Sequence, residues 1–125
     1  LSQAGIEYVA DWVLDDQPVW LHAKPKPVLS VPYTVEINDI PMMLLQQHRS
    51  EELLLRGIDQ FERLWQESET IPRVMSISVH PYITGVPHRI GYFEKLLDHI
   101  QSKAGVVIQT GEQISNWYRE QVPFK

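Results

Sequence analysis

The segment that decides the fold of this chain reads Arg73-Val74-Met75-Ser76-Ile77-Ser78-Val79-His80-Pro81. Its apolar, β-branched residues predict a buried strand, and Pro81 ends that strand because proline cannot donate to a strand ladder. Ligands of α/β sheets and barrels gather where strands end, and an imidazole exchanges protons near neutral pH. His80 is therefore a candidate catalytic residue, and the alternative is a histidine that only hydrogen-bonds a loop.

Strands alternate with helices along the rest of the chain. Leu1 to Ala4 with Gly5 has the pattern of a helix end. Strands are predicted at three further places: Ile6 to Ala10, Val28 to Tyr33 and Val106 to Gln109. Helices are predicted across Met42 to Gln46, from Ser50 to about Glu67, from Pro87 to Gly105, and from Thr110 to about Gln121. This order predicts an α/β fold with a parallel sheet and right-handed crossovers.

Composition favours one domain and excludes several classes of function. The chain has 125 residues, 43% of them hydrophobic, which suits a single domain with one core. Its net charge of -5 argues against nucleic acid as a partner, because phosphate binding needs clustered lysine and arginine. With no cysteine, disulfides and thiolate chemistry are excluded. No membrane-length apolar run and no signal peptide are present, so we expect no membrane association and a cytoplasmic location.

The residues after His80 carry a resemblance to a known family. The run Pro81-Tyr82-Ile83-Thr84-Gly85-Val86-Pro87-His88-Arg89-Ile90-Gly91-Tyr92-Phe93, continuing into Leu96 to Ile100, closely resembles the C-terminal signature of the polysaccharide deacetylase (NodB-homology) superfamily. It is most similar to the branch of peptidoglycan-deacetylase-like proteins and metal-independent allantoinases. Tyr8 to Pro18 and Pro32 to Asp39 are two further matches, in the family's order. The resemblance implies the C-terminal part of a distorted (β/α) barrel.

Other motifs of that family do not precede Asp11 in this chain. They are a pair of aspartates that serve as base and metal ligand, a His-x-x-x-His pair and an Arg-x-Pro motif. No two of the five histidines lie four residues apart: His22, His48, His80, His88 and His99. The comparison implies that the chain is the C-terminal half of a deacetylase-type domain. It predicts no cofactor in this chain, although zinc or another divalent metal is possible in the full-length family domain.

The resemblance also implies roles for residues at the ends of two predicted strands. His80 would be the general acid, Asp11 would orient an arginine that positions the base, and Trp12 would form a wall of the substrate groove. An aspartate that caps a loop and a tryptophan in the core are the alternatives. If the strands run parallel, Asp11 and His80 end on the same rim of one sheet.

Four more residues could line the substrate site. Tyr33, Asn38 and Asp39 follow the second strand and could line the same edge, but a helix cap is the favoured interpretation of Asn-Asp before an apolar helix. Arg89 could present its guanidinium to a carboxylate or carbonyl near His80. A solvated arginine in the first turns of a helix is the alternative.

The function implied is hydrolysis of a non-peptide C-N bond, either N-acetyl removal from an amino sugar or opening of a cyclic amide or ureide. The substrate would be a saccharide or another small molecule. A second hypothesis is a non-catalytic fragment or partner subunit that binds a ligand or completes another chain's barrel. We expect the chain to form a homo-oligomer or to associate with a chain that supplies the N-terminal half, and to be inactive alone. A flavodoxin-like binding module lacks support because no glycine-rich loop follows a strand.

Overall fold

A computed structural model describes all 125 residues, Leu1–Lys125. Its strands are β1 (Tyr8–Val9), β2 (Val19–Leu21) and β3 (Val28–Ser30). Its α-helices are α1 (Glu52–Glu67), α2 (Ile90–Gln101) and α3 (Gly111–Gln121), and two shorter helices span Ser2–Ala4 and Ile40–Leu45. The chain divides into two compact units, residues 1–33 with 108–125 and residues 34–107. The single domain expected from the sequence stays a prediction. No helix is long and apolar enough to cross a membrane.

The first unit contains a small mixed sheet in the order β1-β3-β2. β1 and β3 pair in parallel, with Tyr8 opposite Leu29, whereas β2 runs antiparallel to β3 and sets Trp20 opposite Leu29. Leu29 is fully buried at the centre of the sheet. The two parallel strands were predicted, with longer bounds, and β2 was missed because three residues are too few to show a period of two.

The helical signals of the first unit are confirmed. The 3-10 helix Ser2–Ala4 ends at Gly5, whose φ of 79° is the left-handed conformation that glycine tolerates best. α3 begins with the predicted capping box. Gln113 donates its backbone N–H to the Thr110 hydroxyl over 3.3 Å, and the Thr110 N–H donates to the Gln113 side chain over 2.8 Å.

In the second unit, the half-buried segment 73–79 packs against the core. Met75 and Ile77 pack against both hydrophobic clusters of this unit. One cluster consists of Ile37, Met42, Met43, Leu53 and Ile83, and the other of Phe61, Leu96 and Ile100. The burial predicted for this segment is therefore only partly right, because each of its residues keeps some exposed surface.

The strand predicted here forms only part of a ladder. Segment 73–81 pairs in parallel with Asn38 through one bridge at Ser78. Ser78 donates to Ile37 O over 3.0 Å and accepts from Asp39 N over 3.1 Å. The predicted strand Val106 to Gln109 pairs with no other segment, and Val107 is 74% exposed. A strand needs a hydrogen-bonding neighbour, which an apolar run in the sequence does not supply. The predicted α/β class is confirmed, with its parallel pairing between β1 and β3.

The predicted helices of the second unit are present with shifted ends. α1 starts at Glu52, two residues after Ser50, and Ile40–Leu45 is a π-type helix rather than a regular one. α2 starts at Ile90 and not at Pro87, because the N–H groups of Arg89 and Ile90 both donate to Val86 O and form a separate turn there. Helix ends commonly shift in this way, since several donors compete for the same carbonyl.

α1 and α2 are in close contact at Gly57. A Cβ atom added at Gly57 would lie 2.5 Å from Leu96 Cδ2 and 2.8 Å from Leu96 Cδ1. Leu96 is fully buried, so its side chain has little room to move away. The absence of a side chain at position 57 therefore sets the distance between the two helices.

We predict that Gly57→Ala destabilises the protein although alanine is the better helix former. Overpacking costs about 1–3 kcal/mol and exceeds the helix-propensity gain of about 1 kcal/mol. Gly91→Ala is the matched control, because a Cβ at Gly91 in α2 meets nothing within 4 Å. The free energy of unfolding, measured by urea denaturation, should fall for Gly57→Ala and hold or rise for Gly91→Ala. Equal stabilisation of both variants would contradict the tight contact.

Candidate active site

A buried carboxylate, Asp39, lies beside His80 because the two segments that carry them are bridged. The backbone bonds between Asn38 and Ser78 fix the register of the segments, and Asp39 and His80 follow one and two residues later. The Asp39 side chain is 0% exposed, whereas that of His80 is 34% exposed. The site thus consists of a fully enclosed acid and a histidine that reaches the surface.

Three hydrogen bonds hold the Asp39 carboxylate. His80 donates its backbone N–H to Oδ2 over 2.6 Å, and the Thr84 hydroxyl donates to the same oxygen over 2.7 Å. The imidazole Nδ1 of His80 lies 2.7 Å from Oδ1. Burial of a charged group is tolerated only where its lone pairs are satisfied, and both oxygens meet that condition here.

A tight turn after His80 supplies one of these donors, the Thr84 hydroxyl. The N–H groups of Ile83 and Thr84 donate to His80 O over 3.0 and 2.9 Å, so Thr84 folds back toward Asp39. A Cβ atom at Gly85 would overlap the carbonyl oxygen of Pro81, which is backbone and cannot yield. The turn therefore requires glycine at position 85 for close approach.

The Asp39 carboxyl is ionised at neutral pH. Burial by itself raises its pKa, but hydrogen bonds from the His80 N–H, the Thr84 hydroxyl and the His80 ring together hold the pKa below its usual value. An ionised carboxylate only accepts hydrogen bonds, so Nδ1 of His80 must carry the proton. His80 Nε2 makes no hydrogen bond in the structure, and the Tyr82 ring lies edge-on at 5.6 Å. Nε2 is thus the nitrogen left for proton exchange.

The other candidates from the sequence lie in different settings. Asp11 and Trp12 are exposed and follow β1, and Tyr33 is half-buried beyond β3, all in the first unit. Asn38 is buried, accepting from Ile40 N over 3.2 Å and donating to Thr34 O over 3.4 Å. Arg89 donates from Nη1 to Ile83 O over 3.3 Å. Because Asp11 and His80 belong to different units, their shared rim stays a prediction.

From the sequence, a cap was favoured for Asp39 over a place at the site edge, and Thr84 was not singled out. Asp39 precedes a helix but its side chain makes no cap hydrogen bond, so the cap interpretation is wrong for Asp39. Its carboxylate is instead used by His80 and Thr84. The available signal was positional, since Asp39 follows one segment and His80 follows a second that could pair with it in parallel. Thr84 gives no such signal, because only the turn geometry brings it back.

The residues of this chain do not by themselves fit a metal site. No group of three or more His, Cys, Asp or Glu side chains converges anywhere in the structure. A catalytic zinc usually needs three protein ligands, and Asp39 with His80 is a hydrogen-bonded pair rather than a ligand set. The absence of a cofactor from this chain stays a prediction.

Comparison with known proteins shows similar sequences. No family model matches the chain. A Schizosaccharomyces pombe protein with a provisional polysaccharide deacetylase name is 36% identical over an alignment of 122 residues, which covers 89% of this chain and 38% of that protein. A peptidoglycan deacetylase of Helicobacter pylori is 28% identical over 120 residues, which are 96% of this chain and 35% of that protein.

Solved structures agree closely with this fold. A probable polysaccharide deacetylase of Pseudomonas aeruginosa PAO1 superimposes with a TM-score of 0.91 at 30% identity, over 99% of this chain and 42% of that one. Puue allantoinase superimposes with a TM-score of 0.92 at 25% identity, with the same coverage. The chain thus spans about two fifths of the length of the proteins that it matches. These similarities support the polysaccharide deacetylase (NodB-homology) superfamily as the family of this chain, over part of the length of these relatives.

Proposed function

We propose that this chain carries the general acid of a hydrolase that cleaves a non-peptide C-N bond. The observation that supports the proposal best is the Asp39–His80 pair, which leaves Nε2 of a half-buried imidazole available. The names of the relatives, deacetylases and an allantoinase, indicate an N-acetyl amino sugar or a cyclic amide or ureide as the substrate class. A saccharide or small-molecule substrate and a cytoplasmic location belong to the same proposal.

The geometry of the pair suits proton donation to a leaving nitrogen. When the tetrahedral intermediate collapses, the electrons of the C-N bond move to nitrogen, which leaves poorly as an anion and needs a proton. The protonated His80 ring would give that proton from Nε2 and return to its neutral form. Asp39, which accepts from Nδ1, stabilises the charged ring beforehand and keeps it in one orientation. A histidine is suited to this transfer because its pKa lies near neutrality.

The acid alone does not complete the reaction. A base that activates water and a group that stabilises the oxyanion are also needed, and the oxyanion term is usually the largest. In metal-dependent hydrolases a bound metal supplies that stabilisation. Because this chain matches only part of its relatives, the whole activity is a proposal that includes a second contributor of these groups.

The proposed roles of the other candidate site residues have different amounts of support. Asp11 and Trp12 are exposed after β1, which leaves them available for substrate, as the resemblance implies. Arg89 contacts the turn at Ile83 O, so positioning the turn is the role that its contact supports. Substrate contact by Tyr33 and Asn38 has less support, because the Asn38 amide is engaged within its own loop.

A second candidate function is that of a non-catalytic partner that completes another chain's barrel. Val107 and Ile108 are 74% and 68% exposed in a segment that pairs with no strand. An unpaired edge with exposed β-branched residues is a template for strand addition. The occupant we propose is the part of a deacetylase domain that this chain does not match.

We predict that His80 is required for turnover in a reconstituted domain. The experiment combines this chain with the unmatched part of the Schizosaccharomyces pombe relative, and assays N-acetylated chitooligosaccharides and allantoin with and without zinc. His80→Ala should lower the rate by about 10²–10⁴-fold, the usual contribution of a general acid. His88→Ala is the matched control, because His88 is exposed on the same segment. The chain alone should show no turnover, and full activity of His80→Ala would contradict the assignment.

We also predict that the exposed edge at Val107 drives association. Replacing Val107 and Ile108 with lysine adds charge at the edge and should weaken binding to the unmatched part of the relative, or to a second copy of the chain, by at least about tenfold. Leu55→Lys is the control, since Leu55 is 52% exposed on α1 away from that segment. Sedimentation velocity measures both self-association of the chain and its binding to the unmatched part of the relative. A chain that stays monomeric and does not bind that part would exclude the edge as an interface.

Finally, we predict a stability difference at low pH from Asp39. Its folded-state pKa is lowered, so its contribution to stability is complete above the ordinary aspartate pKa and is lost as the pH falls below about 4. Asp39→Asn should cost about 1–3 kcal/mol at pH 7, because a buried donor set loses its charged acceptor. The difference in the free energy of unfolding between the wild type and Asp39→Asn should become smaller below about pH 4. Asp59→Asn, at an exposed site, is the control; a gap independent of pH would contradict an ionised Asp39.

A further inference from the structure

We propose that Thr84 is a positioning residue of the acid: its hydroxyl holds the Asp39 carboxylate in the rotamer that leaves Oδ1 to the imidazole. The proposal rests on the proposed function, in which His80 acts through Nε2. Thr84 lies four positions after His80 and its side chain does not contact the imidazole ring, so its proposed role is to act through Asp39.

The division of donors between the two carboxylate oxygens carries this inference. Oδ2 accepts from the Thr84 hydroxyl over 2.7 Å and from the His80 N–H over 2.6 Å, so both of its lone-pair directions are used. Oδ1 is left to face His80 Nδ1 at 2.7 Å. Without the hydroxyl, one lone pair of Oδ2 would be buried without a donor, and rotation of the carboxylate would cost less.

The burial of Thr84 makes this contact specific. Its side chain is 2% exposed and Asp39 is 0% exposed, so water is poorly placed to replace the hydroxyl. A hydrogen bond to a charged group in such a setting is stronger than one between neutral groups. The backbone of Thr84 is also fixed, since its N–H donates to His80 O over 2.9 Å. One turn thus presents both the imidazole and the hydroxyl to the same carboxylate.

Few other charged or titratable groups contact this cluster. His80 is the titratable side chain that touches Asp39. Tyr82 lies against the His80 ring and Arg89 reaches Ile83 O, so both belong to the turn and neither is hydrogen-bonded to Asp39. The Thr84 hydroxyl is one of the groups that lower the pKa of Asp39 against the effect of burial. Its removal should therefore move the titration of Asp39 upward.

The test compares Thr84→Val, which keeps the shape of the side chain, with Thr84→Ser, which keeps the hydroxyl. Carbon-detected NMR follows the Asp39 carboxyl carbon against pH, and nitrogen NMR reports which ring nitrogen of His80 carries the proton. In Thr84→Val, the Asp39 midpoint should rise by roughly one pH unit, as the loss of one hydrogen bond to a charged group implies. Thr84→Ser should restore the wild-type midpoint. A merely structural loss would not be rescued in this site-specific way.

Two internal references separate this proposal from the proposed function. Thr70→Val removes an exposed hydroxyl bonded to Glu67 O and should leave Asp39 unchanged. His99, whose Nε2 lies 2.7 Å from Glu62, reports a second histidine–carboxylate pair in the same spectrum and should not respond. An unchanged Asp39 midpoint in folded Thr84→Val overturns the role of Thr84 alone. A neutral His80 ring that carries its single proton on Nε2 rather than Nδ1 in the wild-type chain overturns the acid assignment instead.

One measurement on the wild-type chain covers the case in which Thr84→Val does not fold. The hydroxyl proton of Thr84 should be visible by proton NMR, exchange slowly with water, and show a nuclear Overhauser contact to the His80 backbone N–H. Protection is expected because the donor is buried and its acceptor is charged. Fast exchange of this proton would overturn the proposal without any substitution.

Discussion

The buried charge of Asp39 is the constraint on which the second unit depends. A carboxylate out of contact with water costs several kcal/mol unless donors replace its solvation. Those donors come from residues about forty positions later in the chain, His80 and Thr84. The loop before Ile40–Leu45 and the turn after segment 73–79 are therefore tied to each other through the Asp39 carboxylate. A polar interaction of this kind specifies one arrangement of the loops more sharply than apolar packing does.

Segment 73–79 serves both the core and the site. Met75 and Ile77, which are half-buried, pack against the two hydrophobic clusters, and Ser78 is bridged through its backbone to the segment of Asn38. The well-packed half of the segment thus positions the polar residues at its end. Sites supported by such rigid elements hold their geometry better than sites built only on loops. The contact of Gly57 with Leu96 belongs to the same support, because it sets how closely α1 and α2 enclose the second cluster.

The sequence could predict those features that depend on local pattern. The capping box at Thr110, the glycine stop at Gly5 and the apolar faces of the helices follow from short-range rules, and they are present. The position of His80 at a segment end was likewise predictable, as was the family from its motifs. Strand pairing was not, because pairing depends on a distant neighbour: β2 was missed and Val106 to Gln109 pairs with nothing. Asp39 was assigned to a cap for the same reason, since local context offers a cap whereas the actual partners lie far along the chain.

One carboxylate binds His80 twice, through its backbone N–H and through its ring. This two-point attachment works like a chelate, in which each contact lowers the entropic cost of the other. A rotation of the ring by 180° about its Cβ–Cγ bond would put a carbon atom where Nδ1 is. Oδ1 of the Asp39 carboxylate would then lose its hydrogen-bond donor. The ring is therefore restricted to one of its two faces and one direction. In the protonated ring, the N–H bond at Nε2 therefore points in one fixed direction. A substrate can accept this proton only if it binds with its leaving nitrogen along that direction. Substrate binding and proton transfer thus depend on the same geometry.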